Sequence, residues 1–306
     1  MPNASTPEQP IWTIIELVRW TTSYFRSHQL ENPRIEAEIL LAHVLGVRRI
    51  DLYLNHDQPL DKKERGYFKA LIKRRLSGEP VAYITGRREF WSLELMVGPQ
   101  VLIPRPETEC LVEAVLPFLQ NGDIGGCKRI LDMGTGSGAI AIALAHEYPQ
   151  GQFVAMDHSL AALKMARQNA CKHGVDPHIV WYCGSWDAPL KPDQETFDLI
   201  VSNPPYIPSG DIDGLQTEVR DYEPRLALDG CPDGVSCLRT IIQSVYRYLK
   251  SGGMLALEMG WDQAAAVIEI ANCTGQYEDI QIIKDYSKLD RVATMRKLSS
   301  KSEMVG

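Results

Sequence analysis

No stretch of this 306-residue sequence reaches the roughly 18 consecutive apolar residues that a membrane-crossing helix needs. The opening ten residues, MPNASTPEQP, lack a basic start followed by an apolar core, so they read as a short disordered lead and not as a secretory signal. The seven cysteines are odd in number and include no Cys-x-x-Cys pair. A disulfide framework and a zinc site are both disfavoured, and no metal is expected. Positive charge is also scarce: 32 Lys and Arg stand against 39 Asp and Glu, a net charge of −7. Such a chain is poorly suited to coating nucleic acid. These shortages point to a cytoplasmic protein with neither a membrane nor a direct nucleic-acid partner.

What is present is enough for two domains, with 44% hydrophobic and 23% charged residues. Residues 1–79 read as a small all-α domain of about four short helices. Ile11 to Phe25 is apolar at helical spacing. Asn32-Pro33 suggests an N-cap followed by proline at the first helical position, opening a helix that ends at Gly46. A further turn spans Ile50 to Leu54, and Asp61-Lys62-Lys63-Glu64 is a capping-box pattern for a helix closed by Gly78. Basic residues cluster at Lys62, Lys63, Arg65, Lys69, Lys73, Arg74, Arg75, Arg87 and Arg88. They read either as a solvated helix face or as a docking surface for an acidic partner. Residues 80–104 suggest a β-hairpin linker, and Glu107 to Leu119 a helix.

From about residue 128 strands and helices alternate, which predicts a mostly parallel sheet with helices on both faces across residues 105–306. The expected strands are Arg129–Met133, Phe153–Asp157, Ile179–Tyr182, Phe197–Ser202 and Met254–Met259, then a final pair, Asp279–Asp285 and Arg291–Lys297. The expected helices are Ala139–Glu147, Leu160–His173, Cys237–Leu249 and Gln263–Asn272.

The first strand runs into Gly134-Thr135-Gly136-Ser137-Gly138, where glycines allow a sharp turn and close approach of a ligand. The second strand ends at Asp157, 19 residues past Gly138, where an acidic side chain can accept both hydroxyls of an adenosine ribose. The spacing is GxGxG and not the GxGxxG of dinucleotide enzymes, and no Walker lysine follows. An adenosine-bearing ligand without a pyrophosphate fits better, and S-adenosylmethionine is the leading candidate. Trp186, after the third strand, either stacks on the adenine or belongs to the core.

The fourth strand leads into Asn203-Pro204-Pro205-Tyr206. Two prolines exclude helix and central strand, so this is a rigid loop at the cofactor edge. A planar NH₂ is a poor nucleophile because its lone pair is delocalised. The Asn203 side-chain oxygen and the Pro204 carbonyl can each accept one of its N–H groups and aim the nitrogen at an electrophilic methyl. Tyr206 can pack on the planar group. No strong base is needed, which agrees with the lack of a His/Asp pair near the motif.

SNPPYI together with LDMGTGSGAIAIALA resembles the Rossmann-like, S-adenosylmethionine-dependent amino-methyltransferases. PVAYITGRREFWSLELMVGPQVLIPRPETE, RIEAEILLAHVLGVRR, YEPRLALDGCPDG and LALEMGWDQ narrow the resemblance to the protein-(glutamine-N5) methyltransferases of the PrmC/HemK family, over nearly the whole chain. The resemblance implies methylation of the glutamine in the Gly-Gly-Gln motif of class I peptide chain release factors, with S-adenosylhomocysteine as product. It implies that Gly134, Thr135, Gly136, Ser137, Gly138, Asp157 and Trp186 hold the cofactor. By the same resemblance Asn203 touches cofactor and substrate, Pro204, Pro205 and Tyr206 line the glutamine slot, and Arg105 and Thr108 close over the cofactor. The helical domain is expected to recognise the release factor. The alternative is an NPPY-type methyltransferase of a DNA or rRNA base amino group. One departure is DYSKLDRV, Asp285 to Val292, where the family usually carries a glycine-bearing turn.

Overall fold

The structure is a computed structural model that describes residues 12–120, 127–186 and 196–299. The expected N-terminal lead lies outside them. The described residues divide into two compact units, one ending at Gly86 and the other beginning at Arg87.

The first unit is all helical: α1 (Ile14–Ser27), α2 (Pro33–Leu45), α3 (Arg49–Leu54), α4 (Lys62–Leu76) and α5 (Val81–Thr85). Apolar spacing of three and four residues puts Ile14, Leu17, Val18 and Phe25 on one buried face of α1. They pack with Leu40 and Leu41 of α2 and with Phe68, Leu71 and Ile72 of α4. The capping box of α4 is formed: Glu64 N donates to Asp61 Oδ1 at 2.8 Å and Asp61 N to Glu64 Oε2 at 2.7 Å. Asn32 stands at the N-cap of α2, but its side chain makes no capping bond there. The fifth helix corrects the expectation of a linker from residue 80. Tyr83 and Ile84 are buried on a short helix between Pro80 and Gly86, whose φ of +72° ends it. Within the basic cluster, Arg75 is buried against Glu36 at 2.7 Å and Arg74 pairs with Glu79, while Lys62, Lys63, Lys69 and Lys73 are exposed.

The second unit opens with an antiparallel hairpin, β1 (Arg87–Phe90) and β2 (Leu93–Met96), followed by α6 (Glu109–Gln120). Then come β3 (Arg129–Met133), α7 (Ala139–Glu147), β4 (Gln152–Asp157), α8 (Leu160–Lys172), β5 (Ile179–Cys183), β6 (Phe197–Ser202) and α9 (Thr217–Tyr222). The unit closes with α10 (Ser236–Val245), β7 (Leu249–Glu258), α11 (Ala264–Thr274), β8 (Tyr277–Lys284) and β9 (Asp290–Lys297). The seven-stranded sheet has the order β5-β4-β3-β6-β7-β9-β8, parallel through β7 and antiparallel in the final hairpin, as the alternation predicts. Apolar clusters cover both faces, one through α6 and α7 and the other through α10 and α11.

Two boundaries differ from expectation. The helix expected to reach Leu249 ends at Val245, and β7 begins at Leu249, five residues early. Lys250, Ser251 and two glycines carry no apolar signature, yet they continue the strand. In the last hairpin Lys288 takes φ +66°, so a side-chain-bearing residue occupies the left-handed turn position without glycine. Asp285 braces that turn by accepting from Leu289 N at 3.1 Å and Arg291 Nε at 3.2 Å.

Asn169, fully buried on α8, joins three parts of the unit. Its Oδ1 accepts from Met96 N at 2.7 Å, and its Nδ2 donates to Met96 O at 3.0 Å and to Ser137 O at 2.9 Å. The hairpin and the glycine loop are thus tied to one side chain. Asn169→Ala strands these groups in the interior, and we expect urea unfolding to register a loss of about 2–4 kcal/mol.

Candidate active site

A parallel sheet delivers the carboxyl ends of its strands to one edge, and loops there can converge. Here they line one cavity of about 420 Å³, within the roughly 300–1,000 Å³ typical of small-molecule sites. Its walls include Gly134, Thr135, Gly136, Ser137, Asp157, Trp186, Asn203, Pro204 and Pro205, together with Arg105 and Thr108. Gly138 and Tyr206 stand behind the wall and do not line it.

The glycine loop is hung from β4: Gly134 N and Thr135 N both donate to Met156 O at 2.9 Å. Gly134 and Gly136 adopt φ of +75° and +56°, a backbone that favours glycine. Gly138 has φ +85° and a packing role. A Cβ there would come within 2.8 Å of Ile142 Cδ1 and 3.1 Å of Ala166 Cβ, so it sets the approach of α7 to α8. Asp157 accepts from Gly136 N and Ser159 N, each at 2.8 Å, one on each carboxylate oxygen. Each oxygen keeps a lone pair for a hydroxyl. Trp186 takes φ +45° and is half-buried at the cavity wall, packed also against the sheet's apolar cluster.

Asn203 Nδ2 donates to Thr108 Oγ1 at 3.1 Å. This contact joins the NPPY loop to the Pro-Arg-Pro-Glu-Thr segment 95 residues earlier and leaves Asn203 Oδ1 free to accept. Behind the loop, Tyr206 O donates no proton but accepts from Gln263 Nε2 at 2.9 Å, while the Tyr206 hydroxyl donates to Glu258 Oε1 at 3.1 Å. Gly230 makes room for this segment, since a Cβ there would lie 2.8 Å from Tyr206 Cα. Burial, then the neighbouring Glu258, raises the Tyr206 pKa, so the phenol stays a donor.

Three carboxylates of the site escaped the sequence reading. Glu223, just after α9, takes Arg105 Nη2 at 2.5 Å and Ile103 N at 3.1 Å, clamping the two lips of the cavity together. Glu258 is buried at the end of β7; burial raises its pKa, opposed by the nearby Thr108 hydroxyl, the charge of Arg291 and the hydrogen bond from Tyr206. Asp132 is buried in β3 beneath the glycine loop. Its Oδ2 accepts from Thr135 Oγ1 at 2.6 Å and Ala141 N at 3.2 Å, so it holds the loop to the start of α7. Asp132 and Glu258 lie within the LDMGTGSG and LALEMGWDQ segments that carry the resemblance, and each is a charged residue beside apolar strand neighbours.

Burial pushes the Asp132 carboxyl up to about 7, against the pull of its two hydrogen bonds and with a small further push from Asp157. Its ordinary value in the unfolded chain is 3.8. Between these values the folded chain binds a proton that the unfolded chain has lost, so this group lowers stability as pH rises from about 4 to 7, by at most about 1.4 kcal/mol per pH unit. Above 7 its contribution is flat. We expect the stability of Asp132→Asn, measured by urea unfolding against pH, to gain on the wild type across that window and to track it above.

Comparison with known proteins agrees with this architecture. Residues 16–86 match a family model described as PrmC N-terminal domain, and residues 126–298 one described as methyltransferase domain. A Geobacter sulfurreducens protein named release factor glutamine methyltransferase is 42% identical over 287 residues, covering 94% of this chain and 98% of its own. A Chlorobaculum tepidum protein of the same name is 42% identical over 294 residues, covering 93% and 97%. Among solved structures, the hMettl16 catalytic domain with the MAT2A 3′UTR hairpin 6 aligns at a TM-score of 0.55 and 13% identity, over 80% of this chain and 86% of that one, a likeness of fold alone.

Proposed function

The chain belongs to the family of release factor glutamine methyltransferases, and from that premise we propose that its cavity binds S-adenosylmethionine and presents it to the glutamine of a Gly-Gly-Gln motif in a class I release factor. The observation that carries the reading is the pairing of Asn203, Pro204 and Pro205 with Asp157 and the glycine loop in a single cavity at the sheet edge.

The residues present fit the cofactor. Asp157 has acceptor capacity for a ribose, Gly134 and Gly136 leave backbone open to close approach, and Trp186 offers a ring at the wall. S-adenosylmethionine, when bound, supplies a sulfonium methyl, a strong electrophile. The chain's own contribution is to hold the amide. Asn203 Oδ1 and the Pro204 carbonyl accept its two N–H groups, which turns the nitrogen lone pair towards the methyl. The same acceptors stabilise positive charge that grows on nitrogen as the bond forms. Proline at 204 and 205 removes backbone donors that would compete for these acceptors and fixes φ at both positions. The amide proton becomes acidic as the methyl adds, so it leaves to solvent without a dedicated base.

The helical unit is the part we assign to grip on the folded release factor away from the glutamine. The product of this reaction is S-adenosylhomocysteine.

Incubation of purified release factor with this protein and S-adenosylmethionine should add one methyl, about 14 Da, mapped by mass spectrometry to the Gly-Gly-Gln glutamine. Asn203→Ala should retain cofactor binding and lose on the order of 10²–10³ in kcat. No mass gain on folded, unmodified release factor, with cofactor binding intact, would overturn the substrate. A variant without residues 1–80 should bind cofactor yet fail on folded release factor; full activity would remove the recognition role from the helices.

A further inference from the structure

A glutamine side chain is short, so a protein that delivers one into the cavity must lay its own surface on the rim around the NPPY loop. Two strips of chain flank that loop. One runs from Glu223 to Cys231. Ile207 N donates to Leu228 O at 3.1 Å, Gly230 N to Ile207 O at 2.8 Å and Ser209 N to Cys231 O at 3.1 Å. The other is the turn after β7. There Gln263 Nε2 donates to Tyr206 O at 2.9 Å, and Gln263 Oε1 accepts from Gly260 N at 2.9 Å. Both strips are thus fastened to the NPPY loop or to the residues that follow it.

Each strip carries a large apolar side chain into solvent. Leu226, at the cavity wall, is 63% exposed, and Trp261 is 61% exposed. The turn of the final hairpin adjoins the second strip, since Met259 N donates to Arg291 O at 2.9 Å, and it adds the exposed Tyr286 and Leu289. Apolar groups gathered beside a site favour a partner that covers them. Resting on the reading above, we propose that Leu226, Trp261, Tyr286 and Leu289 form a docking face for the protein that carries the target glutamine, and that the partner's matching surface is basic.

The charge around the face points to that sign. From Ile207 to Asp233 seven Asp or Glu stand against two Arg, a balance of −5 within a chain whose net charge is −7. Both arginines are paired inside the segment, Arg220 with Asp221 at 2.7 Å and Arg225 with Asp229 at 3.3 Å. Arg105 and Arg239 offset Glu223 and Asp233 from outside it. Asp262 beside Trp261 adds a negative charge and Lys288 on the hairpin turn a positive one, so a negative surplus remains, with Asp211 and Asp213 exposed. Such a field speeds the approach of a basic protein surface and repels a polyanion such as nucleic acid. The aromatic and aliphatic anchors then supply the affinity, as buried side chains do at protein interfaces.

The test is steady-state methylation of purified release factor by the full-length protein, with cofactor affinity measured by calorimetry. Trp261 does not line the cavity. Trp261→Ser should therefore raise KM for release factor at least fivefold, with kcat and Kd for S-adenosylmethionine within about twofold of wild type. Tyr286→Ser combined with Leu289→Ser should do the same. All three side chains are exposed, so these variants should fold, and an unchanged cofactor Kd checks that they have. Raising NaCl from about 50 to about 300 mM should raise the wild-type KM at least threefold, and Asp211→Asn with Asp213→Asn should flatten that dependence. A KM unmoved by both sets of apolar changes would sink the docking face. A KM that is flat or falls with salt would sink the basic partner. A wild-type dimer in light scattering that Trp261→Ser dissolves would give the face to a second copy of this chain instead. Failure of the substrate assignment looks different: the wild type then transfers no methyl to release factor, and this proposal falls with it.

Discussion

Parallel pairing is the constraint on which the site depends. Strands β3, β4, β5, β6 and β7 run in one direction, so the loops after them leave from one edge. The register then sets their heights. Met133 pairs with Met156 and with Ser202, which places the glycine loop, Asp157 and Asn203 side by side. A slip of one residue in any of these pairings would turn buried side chains to the wrong face and move a site residue out of the cavity. The buried Leu, Ile and Val of both apolar clusters hold that register, so packing far from the cavity is what gives the cavity its shape.

The local side chains refine what the sheet places. Most of them are carboxylates that accept from backbone or hydroxyl groups. Asp132 holds the loop to α7, Asp157 holds its middle, Glu223 closes the lips and Glu258 reaches the back of the NPPY loop. An oxygen acceptor suits this task because loop N–H groups at strand ends lack ladder partners. The cost is burial of ionisable groups, visible in the raised pKa of Asp132 and Glu258.

The strand ends were readable in the sequence because each candidate site residue ends or directly follows an apolar run. Gly134 follows Met133, Asp157 ends β4, and Asn203 follows Ser202. The capping box of α4 was readable for a similar reason, since both partners lie within one turn. Other features were not local. Helix α5 is too short to show a period, and the start of β7 is tied to the sheet through Leu249, whose partner is Phe197 of β6, before the regular pairing resumes at Met254. Glu258 and Asp132 interrupt apolar runs, and alone they look like faults in the pattern. Their meaning comes from partners such as Tyr206, 52 residues away, that only the fold brings near. Gly138 showed the reverse case: it sits in the glycine loop, yet its missing side chain serves the contact between two helices.

The rim formed by Asn203, Pro204 and Pro205 consists of oxygen acceptors without backbone donors at the two prolines. Glutamine and glutamate have nearly the same size and differ by one group, NH₂ against O⁻. Held at that rim as proposed, glutamine would bring two donors, whereas glutamate would bring only lone pairs and a charge, and meet oxygen with oxygen. On the proposed reading, the same rim that holds an amide would give a deamidated side chain no donor to meet.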